Sequence, residues 1–179
     1  SSDLIDRLAA QVKTLDRVIA EMTEDDEAVH LTMSIPGAGL ITAATIRAFT
    51  DDIRRYPTPG KYAAYAGLVP WVQNSNETIH HGRITQRGPV ELRTALVQGV
   101  IGTVRLRRRT GAYRIIERYD RLKRTKGSGR SIIATARQRS VIIYRMLSDG
   151  VPFDEMKMVD PTIRRKVTEM RAAASDAAS

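Results

Sequence analysis

Residues 31–50 read LTMSIPGAGLITAATIRAFT. A short helical run enters Pro36-Gly37-Ala38-Gly39 and leaves as a second helix, with Ala43, Ala44, Ile46 and Phe49 on one apolar face. Proline and glycine do not continue a helix, and Gly37 and Gly39 allow positive φ and close approach of another backbone. The second helix would start with unpaired N–H groups, which suit an anion. The pattern predicts a helix-hairpin-helix-like turn, a device that grips sugar-phosphate without reading bases. A plain corner between two packed helices would use the same glycines.

Working outward, the helical grammar continues in both directions. Upstream, Ile5, Leu8, Val12, Leu15, Ile19 and Met22 alternate steps of three and four, the seam of a coiled coil. A single helix of this length is marginal alone, so it either pairs with another helix or packs on its own domain. The acidic run Thr23–Glu27 ends it and can cap the next helix. Downstream, residues 58–68 (TPGKYAAYAGL) offer Thr58 as N-cap, Pro59 in the first turn and Gly67 as the stop. Gly88-Pro89 starts a further helix through Leu92, Ala95, Leu96, Gly99, Val100, Thr103 and Val104, whose glycines admit a close neighbour. Ile115, Ile116, Tyr119 and Leu122 mark another helix. After a basic, flexible KGSGR loop, Ile132, Ile133, Ala136, Ser140, Ile143, Tyr144 and Leu147 form one side of a long helix, with Arg137, Arg139 and Arg145 elsewhere. A last short helix is predicted from Asp160-Pro161, then a frayed tail. The fold class is all-α.

The composition agrees. Apolar residues make up 42% of the 179 and aromatics only 5%, which favours a helical core of Leu, Ile, Val, Ala and Met. With no cysteine there is neither a disulfide framework nor a cysteine zinc site. No apolar run reaches the ~18 residues of a membrane span, and no signal peptide opens the chain. Net charge is +9, but residues 1–52 hold 4 basic and 10 acidic side chains while residues 77–146 hold 17 and 4. Most of that surplus lies between Arg105 and Arg145 and is arginine, whose planar fork suits phosphate. Arg107, Arg108, Arg109, Lys126, Arg130 and Arg137 are the candidate nucleic-acid contacts. A solvated basic face kept for solubility is the alternative.

Residues 67–88, GLVPWVQNSNETIHHGRITQRG, break the helical pattern and read as an irregular loop. His80 and His81 are adjacent, which rarely converges on one metal ion, so phosphate contact or exposure suits them better. Trp71 packs the segment, or stacks on a base. Ser75, between the turn formers Asn74 and Asn76, is either a turn residue or a nucleophile. Arg83, Arg87 and Arg93 follow it, and guanidiniums balance the charge of a phosphoryl transition state.

Three stretches in order, SIPGAGLITAATIRAF (34–49), YPTPGKYAAYAGLVP (56–70) and SNETIHHGRITQRGPVELRTALVQG (75–99), resemble the C-terminal transposase domain of the IS one-ten insertion-sequence family. These are the bridge-RNA-guided serine recombinases related to the pilin-gene invertases. The likeness covers about Met33 to Gly99, and ATARQRSVIIYRMLSDGVPFD (134–154) is similar to the helix that closes those proteins. The resemblance implies DNA cleavage by a serine hydroxyl with a covalent phosphoserine link. The family's serine follows Ala-Gly-Leu-x-Pro and precedes Gly-Arg-Ile-Thr, a position that falls here on Ser75. Asn76 stands where the family commonly has glycine. The family also carries an N-terminal RuvC-like domain that holds Mg2+ on four carboxylates, and this chain has no such constellation. The expectation is a C-terminal half: residues 1–24 a coiled coil, 25–150 the catalytic and nucleic-acid-binding domain, 151–179 a closing helix and tail. Ser75, Arg83 and Arg87 are then catalytic, with Gly37, Gly39, His80, His81 and Arg93 on nucleic acid and no metal ligand in this chain. Partners would be donor and target DNA, a bridge RNA and further copies through the coiled coil. The setting would be a bacterial or archaeal cytoplasm, at the nucleoid and not in a membrane. Two other readings stand beside it, a non-catalytic helix-hairpin-helix module that binds nucleic acid and a helical adaptor that binds protein.

Overall fold

The computed structural model describes residues 2–75, 78–84, 87–110 and 114–153, with the backbone alone at 2, 70–75, 78–84, 108–110 and 114. The helix expected from Asp160 and the tail lie outside the described residues. Seven α-helices are described: α1 Ser2–Met22, α2 Glu27–Met33, α3 Leu40–Thr50, α4 Pro59–Tyr65, α5 Val90–Thr110, α6 Arg114–Lys126 and α7 Ser128–Asp149. A single 3-10 turn, Ile53–Arg55, joins α3 to α4. The body is all-helical, as the apolar periodicity predicts. The irregular loop expected at 67–88 is instead an antiparallel hairpin, β1 Pro70–Ser75 and β2 Thr78–Ile84. Its Val, Thr and Ile residues favour extended backbone, and pairing satisfies polar groups that an irregular loop leaves to water.

Local signals fix the helix ends. Asp26 Oδ1 accepts the N–H groups of Ala28 (3.0 Å) and Val29 (3.2 Å), so the acidic run does cap α2. The other oxygen of Asp26 takes Arg47 Nε at 2.9 Å and ties the start of α2 to α3. Thr58 Oγ1 accepts from Lys61 N at 3.2 Å with Pro59 in the first turn of α4. Gly127 is the N-cap of α7, so Ser128–Arg130 form its first turn rather than a flexible loop. Two apolar neighbours, Ile132 and Ile133, make the helix worth extending back to the glycine.

Val29, Ile46, Tyr62, Leu68, Leu92, Leu96, Val100 and Ile143 are at most 1% exposed and form a core shared by α2 to α5 and α7. Two hydroxyls in it are paired, Thr50 with Tyr62 at 2.8 Å and Tyr144 donating to Tyr56 O at 2.7 Å, while the buried Tyr56 hydroxyl has no hydrogen-bond partner. Burial pushes the Tyr56 phenol up to about 12 and the Tyr62 phenol higher still, so both stay protonated at neutral pH. By contrast, α1 leaves Ile5, Leu8, Val12 and Leu15 more than half exposed. Its seam is therefore not packed on its own domain.

Asp51, the C-cap of α3, has φ 57 and ψ −111, a conformation that side chains other than hydrogen strain to adopt. Its carboxylate meets Arg55 at 3.1 Å, but that pair is exposed and adds little. Asp51→Gly is expected to stabilise the fold by about 1 kcal/mol. A urea titration read by circular dichroism, showing a higher midpoint at unchanged slope, checks this.

Candidate active site

The hairpin is rooted by two glycines. At the end of α4, Gly67 takes φ 69, Leu68 N–H reaches back to Ala63 O (3.0 Å) and Gly67 N–H to Ala64 O (2.9 Å). This Schellman closure turns the chain out of the helix and buries Leu68 beneath it. On the return side, Gly88 has φ 105, and a β carbon there would lie 1.8 Å from the Tyr65 carbonyl oxygen. Tyr65 itself is anchored by its hydroxyl, which donates to Phe49 O at 3.1 Å. Both strands therefore leave the body from fixed points on α4.

Within the hairpin, Pro70 pairs with Ile84, Val72 with His81, Gln73 with His80, Asn74 with Ile79 and Ser75 with Thr78. The register shifts between Pro70 and Val72, where Gly82 and Arg83 share the place opposite Trp71. Ser75 is thus the last residue of β1, at the far end from the body. Arg83 lies near the root, about 13 Å of strand away at roughly 3.3 Å per residue. Arg87 is exposed just past the root, and Arg93 is half-buried in the first turn of α5. The arginines assigned to the scissile phosphate therefore gather at the root by sequence position, whereas Ser75 stands at the opposite end. His80 and His81 occupy successive positions midway along β2.

The turn at 34–39 divides the roles of its glycines. Gly37 has φ 80 and packs against α5, where an added β carbon would lie 2.5 Å from Thr103 N and 2.7 Å from Gly99 O. Its close neighbour is the protein's own helix, so the face a phosphate would use at Gly37 is occupied. Gly39 is exposed, has φ −82 and so does not use the positive φ open to it, and caps α3 with no side chain over the helix N-terminus. Space around it is open. Sequence alone could not separate them, because either glycine suits close approach.

The basic surface is broader than the candidate residues. Arg107 is exposed and meets Asp120 at 3.3 Å, which links α5 to α6. Arg108 and Arg109 occupy the last turn of α5, and Lys126 ends α6. Arg130 and Arg137 are both exposed on α7, seven residues and about 10 Å apart on one face. Arg118, Arg121, Lys123 and Arg124 of α6 are exposed as well and were legible from the charge run. Arg139 differs. It is 1% exposed, on the same row as Ala136 and Ile143, not on the outer face expected for it. That three-and-four spacing was the signal for it.

A cleft of about 740 Å³ lies between the end of α1, α2, α3 and the end of α7. Glu21, Asp25, Asp26, Glu27, Asp51 and Asp52 line it, so it repels phosphate. Arg54 beside Asp52 holds that carboxyl below its usual range, chiefly by a side-chain hydrogen bond. Among the described residues no group of three or more His, Cys, Asp or Glu could hold a metal ion.

Residues 29–114, from α2 through the hairpin to the start of α6, match a family model of transposases. The model is that of the Transposase IS116/IS110/IS902 family, and the chain carries a domain of that family. It is similar to the "Transposase for insertion sequence element IS1111A" of Coxiella burnetii, 31% identical over 139 residues, 74% of this chain and 35% of the relative. It is also similar to the "Insertion element IS110 uncharacterized 43.6 kDa protein" of Streptomyces coelicolor, 29% identical over 149 residues, covering 83% and 35%. The "Probable family 20 transposase" of Pseudomonas aeruginosa is 31% identical over 103 residues, covering 58% and 30%. The chain spans about a third of the length of these curated relatives.

Proposed function

We propose that the chain is the strand-exchanging part of a DNA transposase and that Ser75 is its nucleophile. The observation that carries this is the place of Ser75 at the far end of a hairpin whose two roots are locked on α4. In the proposed step Ser75 Oγ bonds to a backbone phosphorus and one bridging oxygen leaves as a DNA hydroxyl. The serine proton balances that hydroxyl, and one phosphodiester replaces another, so no external energy source is needed. Rejoining is the reverse attack by a different DNA hydroxyl. Exposed arginines of α5, α6 and α7 supply phosphate contacts, and a bridge RNA chooses the sites, in the cytoplasm at the nucleoid. In this reading Mg2+ belongs to a RuvC-like half elsewhere in the assembly. No helix among the described residues is long and apolar enough to cross a membrane.

The test is covalent trapping. Full-length transposase with Mg2+, bridge RNA and labelled target DNA is run on a denaturing gel, where a shifted protein–DNA band reports the phosphoserine link. A second reading has a specific support, since the arginines collect at the hairpin root and not beside Ser75. It makes the chain a non-catalytic nucleic-acid-binding module, and then DNA binds but no band forms.

Copies are proposed to associate through α1. Leu8 is 51% exposed and Leu15 61%, and burying what remains of each would contribute about 1–2 kcal/mol. The pair Leu8→Asp and Leu15→Asp is expected to convert the oligomer to a monomer, with any loss of helix content confined to α1. Light scattering after size exclusion checks it, and an unchanged mass would overturn the assignment.

A further inference from the structure

Arg139 is a buried cation that has not been matched. Its NH1 donates to Pro36 O and to Thr103 Oγ1, both at 3.0 Å, while Nε and NH2 have no hydrogen-bond partner. No carboxylate among the described residues pairs with it, and burial alone lowers the guanidinium to about 10, still charged at neutral pH. Ile35, Ile115, Ile142 and Phe153 lie around the same small cavity, so an apolar side chain of equal length would pack there more cheaply. The local sequence has nonetheless been shaped to hold it. Gly99 leaves the space where a β carbon would stand 2.8 Å from Arg139 Nε. Thr103 Oγ1 lies 2.6 Å from Pro36 O, and Gly37 sits directly over Gly99 and Thr103. One side chain from α7 thus clamps the 34–39 turn onto α5, and two residues beyond the clamped Gly37 is Gly39, the open N-cap of α3.

We propose that Arg139 is a positioning residue for nucleic acid: it holds the Pro36–Ala38 turn so that the uncapped N-terminus of α3 meets a backbone phosphate. Its charge lies against the carbonyl of Pro36 at the start of the turn, where salt screens it less than at the surface. This rests on the nucleic-acid reading above. It explains why the fold keeps an unpaired cation where packing asks for none.

The experiment uses the full chain, a fluorescent DNA duplex and two variants. Arg139→Met removes the charge and the donor but keeps the length, and Arg139→Lys keeps both charge and a donor. The Met variant is expected to melt at or above the wild-type temperature yet bind about tenfold more weakly. Amide exchange at Ala38, whose N–H donates to Ile35 O, should quicken while α7 stays protected. The Lys variant should recover most of the affinity even if it is the less stable protein. Met binding as tightly as wild type overturns the proposal, as does affinity that falls only in step with melting temperature in both variants. If the Met chain does not fold, Thr103→Val, which removes the hydroxyl shared by Arg139 and Pro36, replaces it with the same expected weakening. A wild-type chain that fails to bind duplex overturns the nucleic-acid reading itself, whereas wild-type binding matched by the Met variant overturns only the role of Arg139.

Discussion

Ser75→Ala in the full-length transposase is expected to abolish the protein–DNA band on a denaturing gel. Removing a nucleophile leaves only the residual acceleration from binding and charge, so strand exchange should fall by a factor on the order of 10³ or more. DNA affinity should stay within about twofold, because phosphate contact falls to the arginines in the proposed site. The variant keeps its last β1 position, since alanine in place of serine asks nothing new of an extended residue paired with Thr78. Ser128→Ala is the matched control. It removes a hydroxyl from the first residue of α7, where it lies 3.3 Å from Tyr119 Oη, and should leave the band intact. A band that survives Ser75→Ala places the nucleophile elsewhere. A band absent from the wild type supports the binding module.

The helical body was legible where a boundary is made by a short-range event, as at α2 and α4 but not at the start of α7. Asp26 caps α2 two and three residues ahead, Thr58 caps α4, and Gly67 closes it, all within a span that a linear reading covers. The hairpin was not legible for the opposite reason. An isolated two-stranded ribbon is marginal, and this one owes its place to Tyr65, Leu68 and Gly88. Val72, Thr78, Ile79 and Ile84 carried a strand signal, but polar residues interrupt the alternation. Arg139 was misplaced because charge was read ahead of spacing. Its position three residues after Ala136 and four before Ile143 puts it on the apolar row, and only Gly99, forty residues away, makes room for it. Gly37 shows the same limit. The sequence says that some backbone comes close, and the tertiary fold decides that it is α5.

The hairpin's dependence on its roots leads to the second large effect. Gly88→Ala is expected to destabilise the chain by about 3 kcal/mol or more and to remove most strand-exchange activity. Two costs add. At φ 105 any β carbon is strained, and here it would stand 1.8 Å from Tyr65 O and 3.0 Å from Tyr65 C, both backbone atoms that no rotamer change can move. Tyr65 cannot retreat easily, because α4 is held by Tyr65 to Phe49 O and by Tyr62 to Thr50 inside the core. The return strand must therefore swing, and Ser75 at its far end moves further than the root does. For a chain of this size 3 kcal/mol corresponds to a fall of about 6–12 °C in melting temperature. Activity measured well below that melting point separates the two costs, since a displacement of 1 Å at reacting atoms is worth on the order of 10² in rate. Gly60→Ala provides the control. It makes the same chemical change in the first turn of α4, where φ is not positive and the nearest atom to the new carbon, Thr58 Oγ1, is 3.8 Å away. Gly60→Ala should be neutral or slightly stabilising and fully active. Gly88→Ala with wild-type activity below its melting point would mean that the hairpin roots do not aim the serine, and the case for Ser75 would lose its structural support.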